Sequence, residues 1–288
     1  MLRCAFILAL IVTPIQGGKG AFRKLTSEMQ AAVPDLCAKT VGSEWGAQIE
    51  NQDTWKKCSG AIITPIHVLT LAECMIGRDG LLLTDMNQIE LSVYQHWNSL
   101  LGGERSGYEN PIVRHYVAPN NALSDKTSNF AIIDFLELET ALPIVCQQKV
   151  PTLPAHGTTL QVLRSGSFMD QETHFYTITF DKREGDILLG TNPSWNASDE
   201  LEFAGNPWYR RQNGTLELLA LSTDNGTEAI DISYLSDFLC QHIRYGCSED
   251  ASTENYFLDG NRRDSYDDLQ LGMVKMNFIY MGCHFIKF

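Results

Sequence analysis

The stretch CSGAIITPIHVLTLAEC, residues 58–74, decides how the rest of the chain is interpreted. Apolar runs at 59–63 and 67–71 are separated by Thr64 and Pro65, a pattern that predicts two short buried strands joined by a turn. A cysteine stands at each end of the stretch, and an acid, Glu73, comes directly before the second one. The stretch therefore predicts a β protein with a cysteine-anchored corner.

Similar short runs continue on both sides of this stretch. They lie at 46–49, 88–94, 111–117 and 130–135, and again at 158–163, 174–180, 186–189 and 216–221. Glycine, asparagine and proline separate them, and no repeat of fixed period is visible. Two sets of about six strands in about 200 residues predict paired β-barrels or a large sandwich.

One helix is predicted, over residues 230–243. Its apolar residues recur at helical spacing, and Asp231 or Ser233 is a suitable N-cap. We therefore expect an all-β fold with a single helix at the C-terminal end.

Composition narrows the class of partner. The chain has 288 residues and a formal net charge of −13, which argues against binding to nucleic acid or to an anionic membrane surface. The histidines show no spacing typical of a metal site, and we expect neither a metal nor another cofactor. We interpret the negative charge as one that keeps the protein soluble in an extracellular fluid.

The N-terminus predicts export. Residues 1–17 combine a basic start with a short apolar run, which is typical of a signal peptide cleaved near residues 17–21; a membrane anchor is the weaker alternative. Residues 18–36 are interpreted as a pro-like segment. Three acceptor triplets suit a secreted glycoprotein, at Asn196, Asn213 and Asn225. Seven cysteines follow Cys4, so we expect disulfides with one thiol left over.

The C-terminal tail, residues 247–288, differs in amino-acid composition from the rest of the chain. It is first polar and acidic, which predicts disorder, and from about residue 271 apolar with Lys275, His284 and Lys287. The apolar part is either a docking segment or an artefact of gene prediction.

The stretch 58–74 resembles the N-terminal barrel of trypsin-like serine proteases, in which LTAAHC recurs. Further resemblances follow in family order: KTVGS (39–43) to the activation junction, SNFAIIDF (128–135) to the aspartate strand, LPIVC (142–146) to the interdomain segment, EFAGNPW (202–208) to the nucleophile loop and ISYLSDFLCQHI (232–243) to the final helix. The resemblance implies two antiparallel six-stranded β-barrels with a C-terminal α-helix over residues 37–246. The first barrel would cover about 40–140, and the second, with the helix, 141–246. Divergent nematode domains are the subgroup it resembles most.

The resemblance also implies disulfides. It pairs Cys58 with Cys74, closing a loop that stabilises the fold by roughly 3 kcal/mol in the chain-entropy model. It further pairs Cys37 with Cys146. Cys240 and Cys247 are a third candidate pair, which would leave Cys283 for an intermolecular bond.

All three catalytic positions that the resemblance implies are replaced. Glu73 stands for the general-base histidine, Asn129 for the aspartate and Ala204 for the nucleophilic serine. Acyl transfer by this route needs a nucleophile oxygen and a base that titrates near neutrality. Alanine has no such oxygen, and an unperturbed glutamate titrates near about 4.3.

The supporting positions are replaced as well. Glu202 stands for a glycine of the oxyanion loop, which puts a negative charge beside a developing anion. Phe203 stands for the acid that would receive a new N-terminal ammonium after cleavage at Lys39.

We therefore expect a secreted pseudoenzyme that binds or regulates an extracellular protein or peptide. The alternative is an active hydrolase or endopeptidase with a relocated nucleophile. Ser165-Gly166-Ser167 superficially suggests a nucleophile turn, although its position better matches the mid-domain loop of the family.

Overall fold

The computed structural model describes residues 16–18, 22–38, 46–98, 104–136, 144–147, 153–164, 174–192, 204–212, 215–223, 226–245 and 247. All of them belong to one compact unit, residues 1–249. Their secondary structure is mostly β, arranged as two sheets. Within the described ranges, no helix combines the length and apolarity that crossing a bilayer requires.

The first sheet contains eight strands. They are β1 (Gln16–Gly18), β2 (Gly46–Asn51), β3 (Lys56–Thr64), β4 (His67–Thr70), β5 (Ile89–Asn98), β6 (Glu104–Glu109), β7 (Val113–Val117) and β8 (Ala131–Phe135). Their spatial order is β1-β7-β8-β4-β3-β2-β5-β6, and the neighbouring strands are antiparallel.

The second sheet contains seven strands. They are β9 (Cys146–Gln147), β10 (Thr159–Arg164), β11 (His174–Glu184), β12 (Ile187–Thr191), β13 (Pro207–Gln212), β14 (Thr215–Ser222) and β15 (Glu228–Asp231). Six of them close into an antiparallel barrel, because β13 pairs with both β10 and β14. The short strand β9 adds to β14 in parallel.

Both sheets follow one connectivity, with β2, β3, β4, β5, β7 and β8 of the first corresponding to β10 to β15 of the second. Counted within each set of six, the first strand pairs with the second and the fourth. The second strand also pairs with the third, and the sixth strand pairs with the third and the fifth. The second sheet closes through its fourth and fifth strands, whereas β5 pairs with the extra strand β6 instead of β7. The predicted fold, two six-stranded antiparallel sheets with a C-terminal helix, is confirmed, with the first a half-barrel.

The predicted C-terminal helix is confirmed, but it begins later than residue 230, since residues 230 and 231 belong to β15, and the predicted cap Asp231 caps the 3-10 turn before it. A 3-10 turn, Ile232–Leu235, leads into α2 (Ser236–Ile243). The side chain of Asp231 accepts a hydrogen bond of 2.8 Å from the backbone N–H of Ser233, which satisfies a donor at the start of the turn.

A second helix, α1 (Ser27–Ala38), was not predicted from the sequence. Leu25 and Val33 are buried in the main core, and α1 contacts β9 and β14. The segment interpreted as pro-like thus packs on the body of the protein through its described part, residues 22–36.

Two apolar cores hold the sheets. The larger one joins the first sheet to one side of the second sheet and to α2, through residues such as Leu69, Leu218 and Leu239. The smaller one lies in the second sheet around the fully buried Trp208, whose indole N–H donates to Ser222 Oγ at 2.6 Å. The shared larger core holds the two sheets together through apolar contact.

Candidate functional site

Two of the three positions that the resemblance assigns to a catalytic triad bind each other directly. Glu73 lies in a 3-10 turn that follows β4, and Asn129 lies just before β8, which is paired with β4. The backbone N–H of Glu73 donates to Asn129 Oδ1 at 2.9 Å, and Asn129 Nδ2 donates back to Glu73 Oε2 at 3.2 Å. The pairing of β4 with β8 is what brings these distant residues together.

Lys56, a residue that sequence analysis did not single out, completes this cluster. Its Nζ lies 3.3 Å from Glu73 Oε1, and the Glu73 side chain is 20% exposed. A cation and an amide therefore each face one oxygen of the carboxylate. Both oxygens of this carboxylate therefore serve in contacts between β3, the turn after β4 and the start of β8.

The turn that carries Glu73 is held by the β2–β3 hairpin. Asn51 is fully buried, and its Nδ2 donates to the carbonyls of Cys74 at 3.0 Å and Ile76 at 2.8 Å. Its Oδ1 accepts from the N–H groups of Asp53 and Thr54. One amide thus satisfies two donors and two acceptors at a sharp corner, a role that the sequence signals only as an asparagine before a turn.

Ala204, at the position that the resemblance assigns to the nucleophile, is covered by the first sheet. Its side chain is 2% exposed, and its carbonyl accepts from the N–H of Ser59 at 2.9 Å. The neighbouring Gly205 has φ of 80°, and a Cβ built there would lie 2.1 Å from the carbonyl oxygen of Ser59. This close approach of two backbones requires glycine at position 205.

The three positions meet around one disulfide. Cys58 and Cys74 are bonded, as the sequence implied. Ser59, the partner of Ala204, follows Cys58, and Glu73 precedes Cys74. The site is therefore a joint between the two sheets. Positions 73, 129 and 204 carry a carboxylate, an amide and a methyl group, with no hydroxyl or imidazole among them, and Asn51 and Lys56 add an amide and an ammonium beside Glu73.

A hydroxyl–imidazole pair does exist elsewhere, but it is buried. Thr64 Oγ1 lies 2.8 Å from His67 Nδ1, and both residues are fully buried. Burial lowers the pKa of His67 to about 4 and outweighs the opposing effect of nearby Asp134. A substrate cannot reach this pair in the folded chain.

Of the two other predicted disulfides, one is confirmed and one stays a prediction. The Cys240–Cys247 disulfide is present. Cys37 is also disulfide-bonded, and α1 contacts the strand of Cys146, but the Cys146 side chain lies outside the described residues. The Cys37–Cys146 pairing stays a prediction.

Several predictions lie outside the described residues altogether. These are Lys39, residues 165–167, Glu202 and Phe203, Cys283, and the acceptors Asn196, Asn213 and Asn225. Among the described residues, no group of three His, Cys, Asp or Glu side chains could hold a metal ion.

No model of a known protein family matches the chain. No curated protein matches it either.

Proposed function

We propose that this protein is a secreted, catalytically inactive homologue of trypsin-like serine proteases that acts by binding an extracellular protein. The observation that carries the proposal is the state of position 204, where a buried alanine has its carbonyl bound to Ser59. A nucleophile position sealed by the neighbouring sheet can neither attack a substrate nor admit one.

The cluster of Glu73, Asn129 and Lys56 supports the same proposal. Its polar groups bind one another and fix the corner between β4 and β8. A catalytic base instead needs a lone pair directed at the nucleophile. In this chain, the place of a triad is taken by contacts that stabilise the scaffold.

An exposed aromatic side chain next to this cluster supports binding. Trp55 is 63% exposed and has φ of 61°, an uncommon conformation for a bulky residue. It lies at the tip of the β2–β3 hairpin, directly before Lys56, and its N–H donates to Asn51 O at 2.7 Å. Exposed tryptophans on rigid turns are typical anchors of protein–protein contacts.

The first experiment tests catalysis. The purified, deglycosylated protein is treated with a fluorophosphonate that acylates activated serines, and its intact mass is measured beside a trypsin control. We expect no adduct on this protein and full labelling of the control. A stoichiometric adduct on one residue would overturn the proposal and favour the alternative, a hydrolase with a relocated nucleophile.

The second experiment tests binding. The tagged protein is used to capture partners from the extracellular fluid of its source, and the affinity of a captured partner is measured for three forms. We expect the Trp55→Ala variant to bind at least about 10-fold more weakly, as is usual for a central aromatic anchor. The Ile112→Ala variant, which removes another exposed apolar side chain (65% exposed), should bind like the wild type. Equal affinity of all three forms would refute the role of Trp55, and a fluid without a saturable partner would contradict the binding function.

A further inference from the structure

Residues 22–25, Phe-Arg-Lys-Leu, form a strap that connects the first sheet to α2. Arg23 binds the fully buried Asp134 of β8 through its backbone N–H at 3.2 Å and its Nε at 2.8 Å. Its Nη2 donates to the same carboxylate and to the carbonyl of Phe135. At the other end, the N–H of Leu25 donates to the carbonyl of Ile243 at 3.1 Å.

Two histidines lie beneath this strap. His67 Nε2 is 3.0 Å from the carbonyl oxygen of Arg23, and its ring stacks on Phe22 with centroids 5.4 Å apart. His242 lies on α2, next to the residue that binds Leu25, and the charge of Lys24 acts on it. The basic residues of the strap thus face histidines at both of its ends.

The hydrogen bonds around His67 fix the tautomer of its neutral form. A carbonyl accepts from Nε2, so Nε2 carries the proton and Nδ1 accepts from the hydroxyl of Thr64. The Thr64 oxygen already accepts from the N–H of Ile66 at 3.3 Å. A second proton on His67 would reverse this contact, because the Thr64 hydroxyl would have to rotate and accept from Nδ1–H.

The charges facing His67 act on its protonation in opposite directions, since Asp134 favours the positive charge and Arg23 disfavours it. His67 faces Arg23 from the strap, Asp134 from β8 and Thr64 from β3, with His115 of β7 opposite Asp134. Asp134 is already bound by Arg23, so a protonated His67 would compete with Arg23 for one carboxylate.

His242 has fewer partners for a positive charge. It faces Lys24 and the ring of Phe238, whose centroid is 4.3 Å away. Burial, and then the charge of Lys24, lowers its pKa to about 4, and burial has lowered that of His67 to about the same value.

We propose that residues 22–25 are an acid-released strap, which dissociates from β8 and α2 when protons bind to His67 and His242. Release would carry α1 with it as far as the disulfide-bonded Cys37, and would uncover the surface of the first sheet around Asp134. The sign follows from linkage, since a histidine whose pKa is lowered in the closed state favours opening as the pH falls below its ordinary value of about 6.5.

The test is hydrogen–deuterium exchange on the full-length secreted protein with its disulfides intact. The opening equilibrium of residues 22–36, corrected for intrinsic exchange, should rise on the order of 100-fold between about pH 7 and about pH 4 from His67 alone. The peptide from β11, in the closed second barrel, should keep its protection over this range. Constant protection of residues 22–36, or loss of protection in β11 at the same pH, would overturn the proposal.

Variants assign the effect to the two histidines. His67→Gln keeps a donor and an acceptor but cannot gain a charge, so the rise in opening should be reduced at least about 10-fold. His156→Gln removes an exposed histidine that contacts Asp181 O on the second sheet, and should behave like the wild type. If His67→Gln does not fold, His242→Gln must also reduce the rise. A pH profile identical to that of the wild type in the histidine variant examined refutes the proposal.

Discussion

The substitution Gly205→Ala tests the joint between the two sheets. The φ of 80° at position 205 costs an alanine about 1 to 2 kcal/mol. The new Cβ would also lie 2.1 Å from the carbonyl oxygen of Ser59, a backbone atom that cannot rotate away. Relief requires β3 and the 204–206 loop to separate, which stretches the bonds from Ser59 N to Ala204 O and from Thr70 Oγ1 to Ser59 O. Each contributes about 1 kcal/mol, and the total expected loss is about 3 to 4 kcal/mol.

The assay is urea unfolding of the oxidised protein, and Gly80→Ala is the matched control. Gly80 has a similar φ of 75°, but nothing lies within 4 Å of a Cβ built there. The control should lose only the conformational part, about 1 to 2 kcal/mol. If both variants lose the same free energy of unfolding, the close contact between residues 205 and 59 does not exist as described.

Three further substitutions probe the contacts around the joint and the strap. Asn51→Ala leaves two carbonyls and two N–H groups without their side-chain partner. It should lower the free energy of unfolding by about 2 to 4 kcal/mol in the same urea assay. A loss below about 1 kcal/mol would contradict the bridging role of Asn51. Arg23→Met should lower the melting temperature more than Asp134→Asn does. Removing Arg23 leaves the fully buried Asp134 with an uncompensated charge, whereas removing the charge of Asp134 leaves an Arg23 side chain that is 27% exposed. The reverse order would refute this account of the pair. The double variant Cys58→Ala/Cys74→Ala should lose roughly 3 kcal/mol, and an unchanged urea midpoint would show that the bridge does not stabilise the fold.

Much of the fold could be predicted because its strands carry local signals. The apolar runs at 59–63 and 67–71 became β3 and β4, and the helical spacing at 230–243 became the capped 3-10 turn followed by α2. In each case, the burial of one element is encoded in a few neighbouring side chains. Strand β6 was missed because residues 104–109, ERSGYE, contain no apolar run.

The candidate site could be predicted only in part. The sequence pattern located Glu73, Asn129 and Ala204 through resemblance, and the structure places Glu73 against Asn129. It did not reveal Lys56 or Asn51, since a lysine at a strand start and an asparagine at a turn are common in any β protein.

The amino-acid sequence alone therefore determined the all-β class, the C-terminal helix and the absence of a side-chain oxygen at position 204, because these depend on local patterns and residue identity. The strap depends on contacts between residues far apart, such as Arg23 and Asp134, which are separated by 111 positions. The half-barrel likewise depends on which strand occupies the free edge of β5. Such contacts form only after loops have closed, so no local pattern of side chains encodes them, and the tertiary fold is what selects them.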